Sequence, residues 1–108
     1  MFGESVAVWI VNEWMKMGRP TEWQVVELGP GKGTLSSDIL RTISVLEPDC
    51  LAGLSLHLVD LSPSMRRLQR ETLCGAESGS NVSVYGPPVF WYDHVTDVPH
   101  QFSFFLGE

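Results

Sequence analysis

Glu27, Gly29, Gly31, Gly33 and Asp60 have the types and spacing to hold a nucleoside-like ligand. The glycines alternate through Gly29-Pro30-Gly31-Lys32-Gly33-Thr34, directly after the apolar run Trp23-Gln24-Val25-Val26-Glu27-Leu28. Backbone without a Cβ turns tightly and lets a ligand approach where a side chain would otherwise stand. Three kinds of site use that property, and spacing separates them. A P-loop needs its lysine followed at once by Ser or Thr; here Lys32 is followed by Gly33, which leaves Lys32 as a solvated turn residue. A dinucleotide fingerprint needs GxGxxG or GxGxxA. Gly29 and Gly31 fit it, but position 34 is Thr and the third glycine comes one residue early. The third pattern is an acidic residue followed by xGxGxG, and Glu27, Gly29, Gly31 and Gly33 fill it without a gap.

That arrangement is the first motif of Rossmann-like methyltransferases that use S-adenosyl-L-methionine. Asp60 adds to it by closing a second strand, Leu54-Ser55-Leu56-His57-Leu58-Val59-Asp60. A carboxylate at the C-terminal edge of an open α/β sheet lies where such sheets bind ligands, and it can accept both hydroxyls of a ribose. Each acid has a plainer reading. Asp60 could serve the helix that Ser62-Pro63 opens, and Glu27 could be a strand-end carboxylate bonded to nearby amides. Burial of Glu27 among apolar neighbours requires a partner in either case. The remaining chemistry-bearing residues read as structural. His57 falls on the strand face opposite its leucines, and His94 and His100 lack metal-ligand spacing. Arg66, Arg67 and Arg70 form a basic cluster most simply read as a solvated helix face, with a phosphate or partner contact as the alternative. Trp91-Tyr92 lies near the adenine side of a third strand, with buried packing as the simpler role.

The elements that must position these residues follow from periodicity. Val6, Ile10, Trp14 and Met17, widened by Ala7, Val11 and Met15, predict an amphipathic helix over residues 3–17, with Trp9 and Trp14 as core anchors and Gly18 and Pro20 as its stop. Trp23–Leu28 predicts a buried parallel strand. Leu35, Ile39, Ile43 and Leu46 line one face of a helix that ends before Pro48. Ser62 and Pro63 supply an N-cap and a first-turn proline for a helix with Met65, Leu68 and Thr72 on one side. Gly75–Pro88 reads as a loop with an extended piece at Val82–Tyr85, followed by strands at Val89–Tyr92 and Phe102–Leu106 with a turn near Asp97-Val98-Pro99. Alternating strands and helices with short joints imply an α/β sheet with right-handed crossovers.

Composition bounds the alternatives. The chain has 108 residues, at most one domain, and its 44% hydrophobic content argues against disorder of the whole chain. Seven Lys and Arg against thirteen Asp and Glu give a net charge of −6, which argues against a general nucleic-acid or anionic-membrane binder. No window has the apolar length of a spanning helix. Cys50 and Cys74, far apart and without a CxxC, read as inert thiols in a reducing compartment.

Phe2-Gly3-Glu4 ahead of an amphipathic helix, the Val26–Leu35 run, His57-Leu58-Val59-Asp60 and Trp91-Tyr92 together resemble the MidA family over nearly the whole chain. These are mitochondrial complex I assembly methyltransferases, protein arginine methyltransferases of the seven-stranded class. The resemblance implies a partial Rossmann-like class I methyltransferase fold over residues 1–108, the N-terminal half of a seven-stranded sheet with its flanking helices. It implies S-adenosyl-L-methionine as cofactor, held by Glu27, Gly29, Gly31, Gly33 and Asp60, with Glu4 nearby. The implied reaction is symmetric dimethylation of an arginine in a complex I subunit, in the mitochondrial matrix. Against the family pattern, the sequence opens at the Phe-Gly-Glu element and ends at Gly107-Glu108, where the family continues into Glu-Phe-Phe-Asp-Ala-Leu-Pro. The resemblance thus leads to the expectation that the family's N-terminal region and targeting sequence are missing. The expectation is therefore a truncated methyltransferase whose catalytic carboxylates lie beyond residue 108. The alternative is a catalytically inactive form that acts as an interaction module.

Overall fold

The computed structural model describes residues 2–75 and 80–107; Met1, Glu108 and residues 76–79 of the segment expected as a loop lie outside the described residues. In chain order the elements are α1 (Phe2–Lys16), β1 (Trp23–Leu28), α2 (Thr34–Leu46), β2 (Leu54–Val59), α3 (Pro63–Cys74), β3 (Val89–Tyr92) and β4 (Ser103–Leu106). The four strands form one parallel sheet in the order β3-β2-β1-β4. This is the α/β sheet that the strand–helix alternation predicts, and it agrees with the partial Rossmann-like fold that the resemblance implies.

Because paired residues in parallel strands share a face, register sorts the sheet into two sides. Trp23 and Val25 align with Leu54 and Leu56, Leu56 aligns with Val89, and Val25 aligns with Phe104. All of these are buried in the core with Ala7, Ile10, Val11 and Trp14 of α1 and Ile39, Leu40 and Ile43 of α2. An aromatic cluster ties α1 to the sheet: Trp14 and Trp23 stand 6.2 Å apart, and Trp23 and Phe104 meet edge to face at 5.7 Å. The Trp14 indole N–H donates to the Pro20 carbonyl at 3.1 Å and that of Trp23 to the Cys50 carbonyl at 3.0 Å. Gly3 is buried where α1 crosses α2, and a Cβ there would come within 2.7 Å of Asp38 Cβ.

The opposite side carries Gln24, Val26, His57, Phe90 and Phe105, of which Phe90 and Phe105 are exposed. Gln24 secures the approach to β4 from this side. Its amide donates to the Pro99 carbonyl and the Ser103 hydroxyl, both at 2.8 Å, and accepts from the Gln101 amide at 2.6 Å. His57 lies opposite the leucines of β2, as its parity predicts. Its Nδ1 pairs with the Tyr92 hydroxyl at 3.0 Å and its Nε2 with the Ser55 hydroxyl at 2.8 Å. Burial lowers the imidazole pKa to about 4, so the ring is neutral.

Several details depart from the sequence reading. Trp9 touches the ring of Phe104 at 5.6 Å but is 54% exposed, so Trp14 alone of the two is a core anchor. Met17 and Leu46 are exposed beyond the ends of their helical stripes. The inner face of α3 is Gln69, Leu73 and Cys74, whereas Leu68 and Thr72 face outward. Pro48–Gly53 forms a 3₁₀ turn after α2, and Val95–Asp97 forms another before β4. Val82 makes a single antiparallel bridge to Pro88, and Ser83 to Gly86 closes as a tight turn in place of an extended Val82–Tyr85 segment.

Candidate functional site

The site is built where the chain changes direction in the sheet. From β1 the chain passes to β2 on one side, and later returns to lay β4 on the other side of β1. That reversal opens a crevice at the C-terminal end of β1, the place where open α/β sheets bind ligands. The glycine turn fills this position. Gly29, Gly31 and Gly33 have φ of 62°, 58° and 87°, all in the left-handed region that L side chains rarely adopt. Around Gly29 and Gly31 a Cβ would meet nothing within 4 Å, so these bare positions face open space. Gly33 differs: its missing side chain lets α3 approach, with Gln69 Cα and Leu73 Cδ1 at 3.5 Å from where a Cβ would stand. The turn is pinned by Gly29 N–H to the Val59 carbonyl at 3.2 Å and Gly33 N–H to the Pro30 carbonyl at 2.9 Å.

Gly33 also begins α2 without a side-chain cap, so first-turn amides remain for a ligand or solvent. Beside them a cavity of about 530 Å³ is lined by Phe2, Gly3, Glu27, Lys32, Thr34 and Asp38, among others. Glu27 is buried at its base and accepts a hydrogen bond from the Ser36 hydroxyl of α2. Of the Phe-Gly-Glu element, Phe2 and Gly3 reach this cavity; Glu4 is exposed and does not line it.

Asp60 stands on the other flank of the turn and does not line the cavity. Its Oδ1 accepts from Ser62 N–H at 3.0 Å, a local turn that supports the start of α3, while Oδ2 accepts from the Gln69 amide at 3.0 Å. Each oxygen keeps acceptor capacity beyond these bonds. The helix-start role and a ligand role are therefore compatible.

Gln69 is the residue that sequence reasoning passed over. It is fully buried, and its amide also donates to the Gly31 carbonyl at 2.8 Å and accepts from the Trp91 indole at 2.9 Å. Nothing in local spacing marks it, because its partners lie 38, 9 and 22 positions away. Two arginines read as a solvated face are also engaged. Arg66 donates to the Asp60 carbonyl at 2.7 Å and pairs with Asp93 at 2.6 Å, and the Arg70 guanidinium lies 4.6 Å over the Trp91 ring. Arg67 is exposed as expected. Trp91 is half-buried beside these groups, and Tyr92 points to the opposite side, toward His57. Cys50 and Cys74 are free and buried, and burial raises the Cys50 thiol to about 11, which removes it as a nucleophile. Among the described residues no cluster of His, Cys, Asp and Glu could hold a metal ion, and no helix is long and apolar enough to cross a membrane.

Comparison with known proteins gives this geometry a family. Residues 5–108 match the family described as "Putative S-adenosyl-L-methionine-dependent methyltransferase". The chain is 41% identical to the mitochondrial protein arginine methyltransferase NDUFAF7 of Danio rerio, over 99% of this chain and 28% of that protein. It is 42% identical to the Xenopus tropicalis protein of the same name, again over 99% of the chain and 28% of the relative. With the Homo sapiens protein the identity is 40%, over 99% and 27%. The chain thus spans little more than a quarter of the length of these relatives. The match runs through the glycine turn, Asp60 and the whole sheet, and the chain belongs to this family of S-adenosyl-L-methionine-dependent methyltransferases.

Proposed function

We propose that the turn after β1 and the end of β2 hold S-adenosyl-L-methionine, as part of an enzyme that methylates arginine in a protein. The observation that carries this reading is the glycine turn itself. Its left-handed glycines leave open space at Gly29 and Gly31, at the reversal point of the sheet and between two acidic strand ends. The residues fit the cofactor. Asp60 has acceptor capacity for the ribose hydroxyls, and the uncapped start of α2 suits a carboxylate. The cavity beside Glu27 has room for the amino-acid portion. When bound, the cofactor supplies a methyl group on a cationic sulfur, already activated toward a nitrogen nucleophile.

The work left to this chain is positioning. Asp60 fixes the sugar, the bare turn admits the backbone-close part of the ligand, and Glu27 places an anchored carboxylate beside the cavity. The relatives' names support arginine as the acceptor and the mitochondrion as the compartment. Within the resemblance to the MidA family, the reading extends to symmetric dimethylation of a complex I subunit in the matrix during complex I assembly. The test is calorimetric titration of the chain with S-adenosylhomocysteine. Saturable binding that weakens in Asp60→Asn supports the reading; no binding by a sample that unfolds cooperatively counts against it. A second reading, a non-catalytic interaction module, draws on the exposed Phe90 and Phe105. It predicts partner capture without methyl transfer.

A further inference from the structure

Gln69 is fully buried, yet it touches three separate parts of the site. Its orientation is fixed by chemistry. The Gly31 carbonyl and the Asp60 carboxylate can only accept, and the Trp91 indole N–H can only donate. Both amide hydrogens and one oxygen lone pair are thereby used. A glutamate would lose both donations and set a second negative charge against Asp60. A leucine or methionine would leave buried polar groups unpaired, at the full desolvation penalty.

We infer that Gln69 is a positioning residue for the cofactor site: one amide holds the glycine turn, the Asp60 carboxylate and the Trp91 ring in a single arrangement. This rests on the cofactor reading above. Each bond restricts a different degree of freedom. The bond to Gly31 fixes its carbonyl, and because the peptide is planar the Lys32 N–H is fixed with it. The bond to Asp60 Oδ2 acts with Ser62 N–H on Oδ1, so neither carboxylate oxygen can rotate away. The bond to Trp91 sets the indole plane, which the Arg70 guanidinium clamps from one side. Gln69 itself remains behind these groups, with no surface for a ligand. Its effect on affinity passes through geometry already set before the ligand arrives.

The experiment titrates the full chain and its variants with S-adenosylhomocysteine. Gln69→Met should weaken binding by roughly tenfold or more, the size expected for losing hydrogen bonds to a charged group and a carbonyl. Gln69→Glu separates positioning from mere structure when circular dichroism at each pH shows the variant fully folded, so that any change in affinity arises within the folded chain. Its protonated carboxyl restores a donor and removes the added charge, so affinity should recover as pH falls from about 8 to about 5.5, where the parent stays nearly flat. Near-parent affinity in Gln69→Met, or pH-independent weakening in Gln69→Glu, overturns the inference; so does a parent chain that binds with Asp60→Asn unchanged, because the carboxylate that Gln69 holds then takes no part in the site. If the parent chain itself fails to bind, the cofactor reading falls and this inference falls with it.

Discussion

At the scale of single residues, bare backbone does two separable jobs in this molecule. Gly31 and Gly18 both sit at positive φ with nothing within 4 Å of where a Cβ would stand, yet only Gly31 belongs to the ligand turn. Alanine at either should cost about 1–2 kcal/mol for the left-handed conformation, seen as a lower unfolding midpoint. Affinity for S-adenosylhomocysteine should fall in Gly31→Ala and stay at the parent value in Gly18→Ala. His57 gives a second residue-level prediction. Its folded pKa of about 4 lies below the ordinary 6.5, so the folded state binds fewer protons than the unfolded one between those values. Stability is then complete above pH 6.5 and is lost as pH falls toward 4. The loss from pH 7 to 5 is about 2 kcal/mol, in a range where most carboxylates remain ionised. Denaturant titrations should show this slope in the parent and a flatter profile in His57→Gln.

At the scale of elements, α1 and α2 cross in close contact at Gly3. A methyl there would press on Asp38 Cβ, so Gly3→Ala should push the helices apart and lower stability by about 1–3 kcal/mol, measured by chemical unfolding. Because Gly3 and Asp38 also line the cavity, the same change should alter cofactor affinity. What the sequence disclosed about elements depends on how local each signal is. β1, β3 and the start of α3 are where spacing puts them, since β-branched runs and Ser62-Pro63 act within a few residues. The glycine turn was legible for the same reason, as were Glu27 and Asp60 at strand ends. The inner face of α3 was not. Periodicity favours Met65, Leu68 and Thr72, but long-range hydrogen bonds turn polar Gln69 inward and rotate the helix toward Leu73. Arg66 and Arg70 read as solvated for a similar reason, because their partners Asp93 and Trp91 come from a distant part of the chain. Trp9 shows the converse, an aromatic at helical spacing that stays outside.

At the scale of the whole molecule, the sheet is unequal. One side carries the helices and the core, and the other presents Phe90 and Phe105 beside the buried His57. Exposed aromatic surface of this kind favours association. Paired Phe90→Ser and Phe105→Ser substitutions should therefore reduce concentration-dependent self-association in sedimentation experiments, with cofactor affinity unchanged because neither residue lines the cavity. The covered side has a consequence of its own. Two indoles of the core, Trp14 from α1 and Trp23 from β1, lie 6.2 Å apart with their planes inclined by 36°. Chromophores so close and so skewed couple their electronic transitions, which gives the folded chain a chiroptical signature in the ultraviolet. Its disappearance would mark the moment α1 leaves the sheet, an intrinsic gauge of docking that needs no attached label.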